Sequence, residues 1–140
     1  MTSYLDFDPN TDTPVEILHV VLLGFVKYFW RDAVSRQKSE GKEILKARLS
    51  SFDMEGLGLS RAKGKTFVQY AGSLNGSDFR VILQLAPSVL QGLIPQTHYD
   101  AWLALCRLAP LLFQPDIDNL SSYLVSVKTV LLRRCWKLIT

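Results

Sequence analysis

Glu16 and His19 stand three positions apart at the mouth of the longest apolar run, TPVEILHVVLLGFVKYFW. A three-residue step turns a helix by about 300°, so carboxylate and imidazole would share one face, as a general acid–base or metal-ligating pair must. Two groups do not make a metal site. Zinc and magnesium need further ligands, and the sequence offers no other Cys, His, Asp or Glu cluster at ligand spacing. Thr13-Pro14-Val15-Glu16 also fits a capping box with proline at the first helical position. There the threonine hydroxyl accepts from the Glu16 N–H and the Glu16 carboxylate reaches back, and spacing alone favours this role for Glu16.

Other chemistry-bearing stretches fall short of their motifs. GLSRAKGKT, from Gly58 to Thr66, ends like a phosphate-binding loop. Five residues separate its two outer glycines where the cradle needs four, and no apolar strand precedes it. Cys106 sits in WLALCRLAP, where a thiol behaves as a small hydrophobe, and His98 follows Pro95 with no nucleophile beside it. Tyr28, Phe29 and Trp30, interleaved with Lys27 and Arg31, could stack on nucleotide bases; a core with a basic rim explains them more simply.

The elements that must position these residues come from one domain. A chain of 140 residues buries a single core. Hydrophobic residues make up 48% of it, with a mean hydropathy of +0.12, rich enough to expect apolar faces left over for a homo-oligomer. Net charge is +3. Basic residues concentrate at Lys27, Arg31, Arg36, Lys38, Lys42, Lys46 and Arg48, opposed by Asp32, Glu40 and Glu43. With Arg61, Lys63 and Lys65 they are the candidate contacts for weak, sequence-nonspecific binding to DNA phosphates; a solvated helix face is the plainer reading. Cys106 and Cys135 are the only cysteines and signal neither disulfide framework nor zinc knuckle. Together with an acidic start, MTSYLDFDPNTDT, that resembles no secretion signal, they imply an intracellular protein, nuclear or cytoplasmic. The run from Ile17 to Trp30 carries His19 and Lys27 and is shorter than the ~18 residues of a membrane span, so no membrane partner is expected. Nothing signals a cofactor or a small-molecule substrate.

Periodicity predicts an all-α fold, an irregular bundle of four to six helices over residues 13–140 behind a flexible lead-in, 1–12. The first helix should run from Pro14 to about Gln37, with Gly41 breaking the polar stretch after it. A second should place Ile44, Leu45, Leu49 and Phe52 on one side. A loop of about a dozen residues follows, then TFVQYAGSL, short enough to read as strand or helix, with helix favoured. GSDFRVILQLAPSVLQGLI should be a helix kinked at Pro87, and Pro95 should open another that bends or ends at Pro110. The last helix should begin at Pro115, with Asp116 and Asp118 in its first turn and Arg133, Arg134 and Lys137 near its end, the order the helix dipole favours.

Two blocks also resemble a known family. TPVEILHVVLLGFVKYFW resembles the Asp-x-x-His block of fungal and plant cut-and-paste transposases, the En/Spm (CACTA) group and the related Kyakuja-Dileera-Zisupton group. SLNGSDFRVILQLAPSVLQGLIPQTHYDAWLALCRLAPLLFQPDI resembles the helical insertion of the same enzymes. The resemblance implies a piece of a ribonuclease-H-like transposase in which three acidic residues hold two divalent ions. By position Glu16 falls on the second catalytic aspartate and His19 on its accompanying histidine. Glutamate is one methylene longer, and the other two acids would lie outside the chain. The expectation is therefore a transposable-element-derived helical fragment, not an enzyme, in which Glu16 caps a helix and His19 packs. The alternative is a DNA-binding or protein-interaction module.

Overall fold

The protein is described by a computed structural model over residues 18–52, 63–114 and 116–139, with 131–139 described as helix only. Glu16, the Thr13 cap, the 1–12 lead-in and Arg61 fall outside those residues. The described residues form an all-α, irregular bundle with no strand. A π-helical stretch, Leu18–Val26, runs directly into α1, Lys27–Ser35. Then come α2, Ser39–Ser50; α3, Gly64–Gln69; α4, Gly76–Leu90; α5, Gln96–Leu112; and α6, Leu120–Ile139.

The π stretch follows from where its apolar residues fall. Val21, Leu22 and Val26 are buried, a step of four to five residues, and the wider π turn brings such a step onto one face. From Val26 the buried set continues at Trp30, Ala33 and Val34, the ordinary α spacing. Trp30 is fully buried, and its indole Nε1–H donates to the Phe67 carbonyl at 2.9 Å. Because α3 ends at Gln69, that carbonyl has no partner within its own helix, and the indole supplies one. Trp30 also meets the ring of Trp102 from α5 edge-on, at 6.5 Å between centroids.

α4 is the central rod. Eight of its fifteen residues are buried, and it packs on the π stretch, α1, α2 and α5. Asn75 and Asp78 close a capping box at its start, each accepting the other's backbone N–H at 2.9 and 3.2 Å. Pro87 lies inside it and cannot offer an N–H to the Leu83 carbonyl one turn earlier. The Cys106 thiol of α5 donates to that carbonyl at 3.2 Å, and the Tyr99 hydroxyl donates to the Pro87 carbonyl at 2.9 Å. A tight turn follows. Gln91, at φ −56° and ψ 123°, and Gly92, at φ +76°, fit a type II turn closed by Leu93 N–H to the Leu90 carbonyl at 3.0 Å.

Several boundaries differ from the sequence expectation. Gly41 lies inside α2; the chain breaks instead at Lys38, whose backbone is extended. A glycine costs a helix interior about 1 kcal/mol, less than burial of Leu45 and Leu49 returns at about 1.5–3 kcal/mol each. Ile44 is exposed rather than on the packed side. Pro110 does not end α5, which continues to Leu112. α6 begins at Leu120, not Pro115, because the Asn119 side chain accepts from the Ser122 N–H at 3.0 Å and takes the capping position. Asp116 and Asp118 thus precede the helix.

Replacing Trp30 with alanine should cost about 3–5 kcal/mol through the cavity left. Trp30→Phe, which mainly orphans the Phe67 carbonyl, should cost about 1–3 kcal/mol. Urea unfolding midpoints check both.

Candidate functional site

The π stretch and α1 turn an aromatic ridge outward. Val20, Phe25 and Tyr28 are 45%, 56% and 61% exposed, while Phe29 behind them is half-buried and edge-on to Trp102 at 5.7 Å. Two adjoining hollows flank the ridge and share Tyr28 and Phe29 as a common wall. One, of about 290 Å³, opens beside His19, Val20 and Gly24. The other, of about 300 Å³, lies between α1 and α5, with Ala33, Ile94 and Trp102 below and Asp32, Arg36 and His98 around it. Its chemistry is that of a binding groove, apolar within and polar at the edge.

The edge is electrostatically settled. Arg36 Nε donates to Asp32 Oδ2 at 2.6 Å, which holds the Asp32 carboxyl below the usual carboxylate range; partial burial opposes this and the nearby His98 adds to it weakly. A carboxylate depressed in the folded state stabilises the fold above its unfolded pKa, and the contribution fades as pH falls through the folded value. Both side chains are close to half exposed, so solvent keeps it small. Burial pushes the Cys106 thiol up to about 11, which makes it a hydrogen-bond donor inside the bundle and no nucleophile at neutral pH.

His19 lines the first hollow and Arg36 the second. His19 is exposed and engaged in a contact of its own. No group of three His, Cys, Asp or Glu side chains that could hold a metal comes together among the described residues. No described helix is long and apolar enough to cross a membrane.

The basic residues divide by what they touch. Arg31 lies over the Tyr28 ring, 5.8 Å from its centroid. Lys46 pairs with Glu43 at 2.7 Å. Arg48 Nη1 donates to the carbonyls of Val89 and Gln91 at 2.9 and 2.8 Å, closing the C-terminal end of α4. Lys27 and Lys42 are half-buried, and Lys38, Lys63 and Lys65 are exposed; none of these five makes a side-chain ion pair among the described residues. Gly64, the first residue of α3, approaches the Lys46 carbonyl so closely that any Cβ would collide with it. That approach brings α3, with Lys63 and Lys65 on either side of Gly64, against the C-terminal half of α2 at Lys46, Leu49 and Ser50; Lys42 and Lys38 precede Lys46 at four-residue spacing toward the other end of that helix.

Sequence reasoning missed the clamp made by Arg48 and the groove between α1 and α5. Only the four-residue step from Asp32 to Arg36 announced part of it. Comparison with family models, curated proteins and solved structures finds no match.

Arg48→Ala should destabilise the fold by about 1–3 kcal/mol because two carbonyls lose a charged donor. Lys42→Ala should stay within about 0.5 kcal/mol. Chemical denaturation of the two variants separates a structural cation from a surface one.

Proposed function

We propose that the chain is a non-catalytic helical module of transposase descent that acts through protein contact, a second copy of itself included. The observation that carries this reading is the placing of large apolar side chains in solvent at two separate surfaces. Phe25 and Tyr28 border the groove; Leu120, Leu124 and Val125 stand 61%, 54% and 64% exposed on α6. Large side chains gathered on a surface lose free energy to water that a partner would recover. The descent rests on the sequence resemblance of the two blocks alone, which in the fold meet where the π stretch packs on α4.

Sedimentation velocity across the low to high micromolar range should show reversible self-association. A clean monomer at the highest concentration would end this reading.

A second reading has its own support, the packing of α3 on α2 at Gly64, which puts exposed Lys63 and Lys65 on a helix in contact with the one that carries Lys42 and Lys46. Such a surface fits the phosphates of duplex DNA without reading bases. Titration with arbitrary duplex should then give affinity that falls steeply with salt, and Lys42→Ala or Lys65→Ala should each lower the slope of log K against log salt by about 1. Absence of binding at low salt removes this reading.

A further inference from the structure

A third hollow opens further along α5, where that helix faces α4. It holds about 380 Å³, walled by Leu83, Cys106, Ala109 and Phe113, with the exposed Arg80 and Gln84 of α4 at its mouth. Such a volume stands at the small end of the ~300–1,000 Å³ range of ligand pockets. Its polar groups divide into two kinds. The Cys106 thiol donates to the Leu83 carbonyl at 3.2 Å, and Gln84 Nε2 donates to the Arg80 carbonyl of its own helix at 3.2 Å. No buried side-chain nitrogen or oxygen among the described residues lacks a hydrogen-bond partner, so the walls ask for no polar occupant. Arg80 is different. Its guanidinium lies over the Phe113 ring, 5.6 Å from the centroid, and its N–H donors meet no carboxylate or carbonyl among the described residues.

Charge selects the occupant. Burial keeps the Cys106 thiol neutral, so Arg80 is the only charged group in the lining. In the groove between α1 and α5 the cation is already answered, Arg36 by Asp32; here it is open. An apolar wall with its polar atoms satisfied, and one open guanidinium at its mouth, complement an apolar body that ends in a single carboxylate. Guanidinium and carboxylate match as planar, two-pronged partners. A phosphate or a dicarboxylate carries more charge than one guanidinium neutralises. We infer that the hollow between α4 and α5 binds a small amphiphilic monocarboxylate, its apolar chain against Leu83, Ala109 and Phe113 and its carboxylate on Arg80. The site shares no residue with the groove or with the lysines of α2 and α3, and it stands independently of the protein-contact reading.

The test is titration of the nitrogen-labelled full chain with octanoate, followed by amide NMR shifts. Saturable shifts should gather at Arg80, Leu83, Gln84, Cys106 and Phe113. Octanol, which has the same chain length and no charge, should bind roughly tenfold or more weakly, the difference that a charge-assisted hydrogen bond makes. Arg80→Gln, at an exposed position, should lower octanoate affinity to that of octanol and leave octanol binding unchanged. An unaltered spectrum away from the hollow shows that this variant is folded. Shifts scattered over the surface, or none up to millimolar octanoate, overturn the site. Octanoate held equally well by Arg80→Gln, or octanol bound as tightly as octanoate, reduces the hollow to a plain apolar contact and overturns the inference as well.

Discussion

The indole of Trp30 ties together parts of the chain that are far apart in sequence. Its Nε1–H closes the Phe67 carbonyl that short α3 leaves open, and its ring edge meets Trp102 on α5. A buried carbonyl without a partner is costly, and an indole without an acceptor equally so; here each satisfies the other at the centre of the core. The consequence reaches the surface. With Trp30 turned inward, Tyr28 on the same helix is left outside and Phe29 lies between them against Trp102, which is what shapes the groove.

A second knot lies at the corner between α4 and α5. Gln37, just past α1, donates to the Leu93 carbonyl at 2.8 Å, and Arg48 from α2 donates to Val89 and Gln91. The first half of the chain thus supplies the donors that the end of α4 lacks. Pro87 creates a further need within α4, met by Cys106. Two residue types that chemistry invites one to read as active, a cysteine and an arginine, are spent on backbone carbonyls. Their raised or committed donor character is structural.

The apolar richness of the chain is distributed unequally. Much of it fills one core around α4; among the described residues most of the exposed remainder collects at the π stretch with Tyr28 of α1 and at the start of α6, while Ile44 and Tyr70 stand singly. Scattered exposed hydrophobes need no explanation, whereas rows of them do. The cations show the opposite tendency: Arg31, Arg36, Lys46, Arg48 and Arg80 are drawn into contacts with rings, carboxylates or carbonyls, and others are spread over several helices, Lys63 and Lys65 flanking the contact of α3 with α2 at Gly64. Arg31 and Arg36 adjoin the aromatic ridge, whereas Lys63 and Lys65 flank the contact of α3 with α2, so the two readings draw on largely separate cations.

Much of the architecture was legible in the residues alone. Helical periodicity announced an all-α bundle, because burial of an amphipathic stripe is a local pattern repeated every turn; the stretch after Thr66, too short for such a pattern, read as strand or helix and is helix. Boundaries were less legible, since Gly41, Pro110 and Pro115 carry local preferences of a kcal/mol or so to a few, and packing of Leu45 or capping by Asn119 outweighed or displaced them. Of the groove, only the Asp32–Arg36 step at its edge was legible. Its walls come from α1 and α5, brought together only when the aromatic contacts of Trp102 with Phe29 and Trp30 form across some seventy residues of chain. Which tryptophan goes inside, which arginine reaches a carbonyl and which leucine stays wet depend on what the other helices place opposite them. That is information a linear pattern does not contain and a folded one does.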